Sequence, residues 1–129
     1  MHTSEVRVRF YELDPYNHVN HTVYLAYFET ARIDYLDELG VGLDVMQEQG
    51  WQLVVVELKA RFHAAAGLHD VLTITTRVGE VGRVTSTWHQ EMRRGDELVA
   101  ALEVTAAFTD ATGKPRRIPA EFLEAVSPA

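Results

Sequence analysis

The spacing of apolar residues changes along the chain, and each change marks an element. From Glu5 to Phe10, Val6, Val8 and Phe10 alternate with Glu5, Arg7 and Arg9, the two-residue period of a strand with one buried face. From His21 onward the apolar positions become Tyr24, Leu25, Phe28, Ala31, Tyr35, Leu36 and Leu39, the stripe of an amphipathic helix, and Gly40 is its natural stop. Asp44 to Gln49, bounded by Gly42 and Gly50, predicts a short second helix. The strand period then returns. Trp51 to His63 carries the β-rich run Leu53-Val-Val-Val56, Val71 to Val78 alternates Leu72, Ile74, Thr76 and Val78 with polar residues, and Val84 to Met92 alternates Val84, Ser86, Trp88, Gln90 and Met92. Leu98 to Phe108 puts Leu98, Ala100, Leu102, Val104, Ala106 and Phe108 on one face. Gly79-Glu-Val-Gly82 and Arg94-Gly95-Asp96 read as hairpin turns, Asp110 to Gly113 as the turn after the last strand, and Pro119 to Ala125 as a terminal helix with proline in its first turn.

One long helix between a first strand and a run of consecutive antiparallel strands is an α+β architecture, in which a sheet of about five strands must bury the helix's apolar stripe. Periodicity alone leaves several helix-on-sheet topologies open. No linker or internal repeat interrupts the chain, so residues 1–129 are expected to form a single domain.

Composition narrows the chemistry. With 129 residues and 47% hydrophobic content the chain can bury a core yet is small enough to gain from oligomerisation. It has no cysteine, which removes disulfides, thiolate metal sites and cysteine nucleophiles and suits a reducing cytoplasm. No run approaches the roughly 20 apolar residues of a spanning helix, and Met1-His-Thr-Ser-Glu5 lacks the regions of a secretory signal, so a cytoplasmic protein without a membrane partner is expected. The formal net charge of −7 argues against nucleic-acid binding. An anionic ligand would need a local basic patch, for which Arg93-Arg94 and Lys114, Arg116 and Arg117 are the clusters available. There is no phosphate-cradling glycine loop, no dinucleotide fingerprint and no Gly-x-Ser-x-Gly elbow, and carboxylate chemistry is what remains.

The stretch Phe10-Tyr-Glu-Leu-Asp-Pro-Tyr-Asn-His-Val-Asn20 places acids, a forced turn and helix-capping groups directly ahead of the amphipathic segment. A carboxylate here would face a helix N-terminus. This pattern, continued by Tyr24-Leu-x-x-Phe28-Glu-x-Ala-Arg32, resembles the signature of hotdog-fold acyl-CoA thioesterases of the 4-hydroxybenzoyl-CoA thioesterase type. The likeness extends through Val54 to Phe62, Asp70 to Ile74, Gly113-Lys-Pro and Ile118-Pro119.

The resemblance implies a sheet wrapped around the central helix, a homodimer joined edge to edge or a tetramer of two such dimers, an acyl-CoA substrate, and neither cofactor nor metal. Asp14 matches the carboxylate that acts as base or nucleophile on the thioester, and the main-chain amide of His21 matches the oxyanion donor. His18 and Asn20 fall on the family's His-Val-Asn and are expected to brace the loop, with Glu29 as a further brace. Read as plain structure, Asp14 shapes a turn, His18 is a loop histidine, Asn20 a helix cap, Glu12 an ion-paired strand end, and Glu29 with Arg32 a surface pair. Asp14, His18 and His21 also have a spacing that permits zinc without marking a fourth ligand. Asn17, His69 and Ala65 depart from the family's usual glycine, glycine and proline. Two other functions stay open at this point: a hotdog dehydratase using His18 and Glu29 on hydroxyacyl thioesters, and a non-catalytic acyl-thioester binding protein.

Overall fold

A computed structural model describes residues 1–126. The elements in chain order are β1 (His2–Arg7), α1 (His21–Glu38), α2 (Leu43–Gln49), β2 (Trp51–Phe62), β3 (Val71–Val81), β4 (Thr85–Arg94), β5 (Glu97–Asp110) and α3 (Ala120–Val126). The strands form one antiparallel five-stranded sheet in the order β1-β3-β4-β5-β2. Its inner face carries Leu72, Ile74, Trp88, Met92, Leu102, Val104 and Phe108, and α1 buries Tyr24, Tyr27, Phe28, Ala31, Tyr35 and Leu36. This is the α+β architecture that the periodicity predicts, in the hotdog arrangement that the resemblance implied. The helix is short beside the sheet: its 18 residues span about 27 Å against about 46 Å for the 14 residues of β5, so the strands overhang it.

Two phase slips in the strands shape the sheet. Along β2 the inward positions are Trp51, Leu53 and Val55, then Leu58, Ala60 and Phe62, and the ladder to β5 shifts between Val55 and Glu57. A bulge at Val56 keeps the apolar side chains of both halves on one face of the sheet, which strict alternation could not do, and at this edge Val55, Leu58 and Phe62 stay open to solvent. On β5 the register shifts opposite Met92 and Arg93, so Val99 is fully buried and Leu98, expected on the buried face, is only partly covered.

The first strand also differs from expectation. It occupies His2–Arg7 and not Glu5 to Phe10, because residues Phe10–Glu12 turn into a single 3-10 helix that leaves Phe10 exposed. The Glu12 carboxylate accepts the Arg9 N–H at 2.8 Å and closes this turn. The hairpin expected at Gly79–Gly82 is displaced too: β3 runs on to Val81, and a Cβ at Gly79 would sit 2.7 Å from His89 Nε2, so a side chain there would displace the His89 ring.

The connection from β2 to β3 is tied down by an ion-pair network. Asp70 Oδ2 accepts from the Gly67 N–H at 2.9 Å and from Arg94 Nη1 at 2.7 Å, and Arg94 also reaches Glu97 and the Ala65 carbonyl. His69 turns the chain with φ of 69°, a left-handed conformation held by this surrounding structure. The Gly67 amide, with Arg94 beside it, holds the Asp70 carboxyl below the usual range, against a smaller opposing effect of burial. A depressed folded-state pKa contributes stability above the ordinary aspartate pKa, and that contribution is lost as pH falls through the folded value. Asp70→Asn is therefore expected to cost about 1 kcal/mol at pH 7 after allowance for solvent screening, with the gap to the parent closing below roughly pH 4. Urea midpoints at pH 7 and pH 3 check this; a gap of equal size at both would exclude it.

Candidate active site

The loop ahead of α1 is a small closed structure. At its base the Asn20 N–H donates to the Glu12 carbonyl at 3.0 Å, Leu13 bridges Val19, and the Asp14 N–H donates to the His18 carbonyl at 2.7 Å. Inside it, Asp14 Oδ1 accepts from the Tyr16 N–H at 2.8 Å and the His18 N–H at 3.1 Å, while Pro15 fixes the chain direction between them. Asn17 takes φ of 63°, so asparagine supplies the left-handed residue that glycine supplies in the family pattern. The two amide bonds orient the carboxylate through Oδ1 alone. Oδ2 has no protein hydrogen bond among the described residues and remains available to a substrate.

The helix start supplies the complementary group. Asn20 is the N-cap with ψ of 138°, and its Oδ1 accepts from the Thr22 N–H at 2.9 Å and the Thr22 hydroxyl at 2.7 Å. The His21 N–H comes one residue earlier, where an α-helix offers no internal acceptor, and it makes no hydrogen bond outside the helix among the described residues. A main-chain donor at the positive end of the helix dipole is thus left for an incoming oxygen. The His18 and His21 side chains are exposed.

Three further contacts fix this loop to the body, and the sequence pattern did not expose them. Tyr27 donates its hydroxyl to Glu12 Oε1 at 2.7 Å, and burial followed by this carboxylate pushes the phenol pKa up. Glu12 is therefore an anchor as well as the partner of Arg9, 3.7 Å away. Val19 N–H donates to the Ala66 carbonyl at 2.9 Å, and the Ala66 N–H donates to the Tyr24 hydroxyl at 2.9 Å. Asp14, His18, Asn20 and His21 are thereby assembled at one end of α1.

Glu29 is set apart. It lies eight residues beyond His21, about 12 Å along the helix axis, and is exposed. No Glu29–Arg32 ion pair forms among the described residues: Arg32 Nη1 donates to Gln90 Oε1 at 2.8 Å instead. Burial pulls the Arg32 pKa down and Glu29 partly opposes this. Gln90, fully buried on β4, also donates through Nε2 to the Phe28 carbonyl and the Thr76 hydroxyl, both at 2.9 Å. Its only sequence signal was a polar residue on the inward phase of a strand. Between α1, α2 and the sheet, Glu29 and Arg32 border an apolar cavity of about 260 Å³ walled by Ile33, Leu36, Met46, Leu53, Trp88 and Val104.

The arginine clusters considered for an anionic ligand are largely engaged within the chain. Arg94 is divided among Asp70, Glu97 and Ala65, Arg93 pairs with Glu91 and the Asp96 carbonyl, and Arg116 lies over the Trp51 ring at 5.8 Å.

The chain is thus a helix wrapped by a five-stranded sheet, with a carboxylate oriented in the loop directly ahead of the helix N-terminus. Residues 8–126 match the model of the thioesterase-like superfamily, and the chain belongs to that family of thioester hydrolases. It is 33% identical over 122 residues to the acyl-CoA thioesterase YbgC of Haemophilus influenzae, covering 93% of this chain and 90% of that protein. It is 28% identical over 120 residues to the chloroplastic acyl-acyl carrier protein thioesterase ATL2 of Arabidopsis thaliana, covering 92% of this chain but 64% of that one. Among solved structures, the DHNA-CoA thioesterase of Staphylococcus aureus superposes with a TM-score of 0.89 at 25% identity, covering 96% of this chain and 87% of the other.

Proposed function

We propose that this protein hydrolyses acyl-CoA thioesters to the free acid and CoA, using Asp14 and the His21 amide and no cofactor. The observation that carries the proposal is the division of labour at the loop: Oδ1 of Asp14 is committed to two backbone amides, Oδ2 is not, and the Asn20 cap takes Thr22 and leaves the His21 N–H open. The thioester oxygen accepts from the His21 N–H, which stabilises the negative charge that develops there. Asp14 Oδ2 takes a proton from a water whose oxygen bonds to the carbonyl carbon. As the tetrahedral intermediate collapses the C–S bond breaks, and the proton passes to the departing CoA thiolate. In the alternative use of the same carboxylate, Oδ2 bonds the carbon directly, the C–S bond breaks to release CoA thiolate, and water then hydrolyses the mixed anhydride to the free acid, restoring the Asp14 carboxylate and supplying the proton the thiolate takes. His18 and Asn20 hold the loop in shape. YbgC and the Staphylococcus enzyme, both named for CoA thioesters, support CoA as the carrier.

The dehydratase alternative needs His18 and Glu29 as an acid–base pair, and the roughly 12 Å of helix between His21 and Glu29 speaks against it. No helix among the described residues is long and apolar enough to cross a membrane, and the cysteine-free chain suits the cytoplasm as its place of work. β2 is an edge strand that exposes Val54, Val55, Val56, Leu58 and Phe62, an aggregation-prone edge unless a second copy pairs with it. A homodimer through β2 follows, and light scattering is expected to give twice the chain mass; a monomer at micromolar concentration rules it out.

The functional test is thiol release from a panel of acyl-CoAs. Release of CoA above the spontaneous rate supports the hydrolase, and binding without release on every substrate turns the assignment to an acyl-thioester binding protein.

A further inference from the structure

We infer that the acyl groups this enzyme prefers are long aliphatic chains of about 12 to 18 carbons, whose distal part lodges in the cavity between α1, α2 and the sheet; the carbon count comes from helix rise and bond length. The inference rests on the thioesterase proposal, because it measures the chain from the carbonyl position at the His21 amide. α1 is common to both ends of the measurement. From His21 a row of helix residues in steps of four descends through Leu25, Glu29 and Ile33, winding gradually round the helix toward the cavity, of which Ile33 is a wall.

Glu29, the first helix residue at the cavity, lies eight residues from His21 and Leu36, the last, fifteen residues, which correspond to about 12 and 22 Å of rise. An extended hydrocarbon advances roughly 1.25 Å per carbon from standard bond lengths and angles. About ten carbons therefore reach the near end and about eighteen the far end. Volume gives a consistent answer. A cavity of about 150 Å³ admits benzene, so by proportion the 260 Å³ here holds roughly ten carbons.

The chemistry of the walls agrees with an unsubstituted chain. The polar residues Glu29 and Arg32 come from the part of α1 nearer its N-terminus, and the Arg32 head is held on Gln90. Beyond them the helix, α2 and strands offer Ile33, Leu36, Met46, Leu53, Trp88 and Val104, which have no group to receive a polar or charged chain end. An aromatic acyl group extends only about 7 Å from its carbonyl by the same bond lengths and stops short of the cavity. Each methylene buried there is expected to raise kcat/KM about fourfold until the cavity is full.

The experiment is a chain-length profile of thiol release from C4, C6, C8, C10, C12, C14, C16 and C18 acyl-CoAs and benzoyl-CoA, below their micelle concentrations, for the parent and for Ala106→Phe. Ala106 is buried at the cavity wall, and phenylalanine fills the space beside it. The expected result is a parent optimum at C12 to C18, with kcat/KM for C14 at least a hundredfold that for C6, and at least a tenfold fall of that ratio in the variant. A parent optimum at C8 or below, or on benzoyl-CoA, overturns the inference and leaves the thioesterase proposal standing. Equal loss on C6 and C14 in a folded Ala106→Phe assigns the distal chain elsewhere and also overturns it. If the variant does not fold, the parent profile decides alone. No release from any acyl-CoA overturns the thioesterase proposal and the chain-length inference together.

Discussion

Asp14→Asn is expected to lower kcat for acyl-CoA hydrolysis by a factor of about 10² to 10⁴, with little change in melting temperature. Asparagine keeps a carbonyl oxygen where Oδ1 now accepts the Tyr16 and His18 amides, so the loop retains its turn. What it loses is the negative charge and the Oδ2 lone pairs proposed to take a proton or attack carbon. Asp14→Ala removes both functions and should add a stability loss of about 1 to 2 kcal/mol as the two amides lose their acceptor at a partly solvated site. Measuring kcat and melting temperature for both variants separates chemistry from loop architecture. Activity within threefold of the parent in Asp14→Asn would mean that another group is the base.

The largest expected effect on stability comes from Gln90→Leu, at about 2 to 4 kcal/mol. Leucine is similar in size but ends three interactions at once, with Arg32, the Phe28 carbonyl and Thr76. The carbonyl keeps its helical partner and Thr76 loses only the bond it accepts. Arg32 suffers most, since its partly buried guanidinium makes no ion pair among the described residues. The urea midpoint reports the loss. A change under 1 kcal/mol would show that Arg32 finds water or Glu29 at no cost.

Much of this architecture was legible because local rules and the fold agree. The stripe from Tyr24 to Leu36 gave α1, Asn20 capped it, and positive φ at Asn17 kept the loop turn possible without glycine. The misses have physical causes. A period-two reading carried the first strand through Phe10, and side-chain capping by Glu12 bent it away before that residue. The slip at Val56 is visible in the sequence once Trp51, Leu53 and Val55 are set against Leu58, Ala60 and Phe62, but a continuous valine run hides it. Adjacent arginines cannot reveal their partners, which for Arg94 lie 24 and 29 residues away at Asp70 and Ala65. Of the five site residues read from the motif, four lie together and Glu29 does not, since eight helical positions convert sequence proximity into separation.

The grip of Gln90 on the Phe28 carbonyl bears on more than stability. Apolar contacts between a helix and a sheet are poorly directional, and an α-helix can slide one turn, about 5.4 Å, and still present an oily face. An amide anchored in the sheet and hooked to one particular carbonyl permits a single alignment. Because α1 carries both the His21 amide and one wall of the cavity, a one-turn slip would carry the two together past the Leu53, Trp88 and Val104 walls on the sheet. A residue remote from the Asp14 loop thus fixes how the helix and sheet walls of the cavity meet.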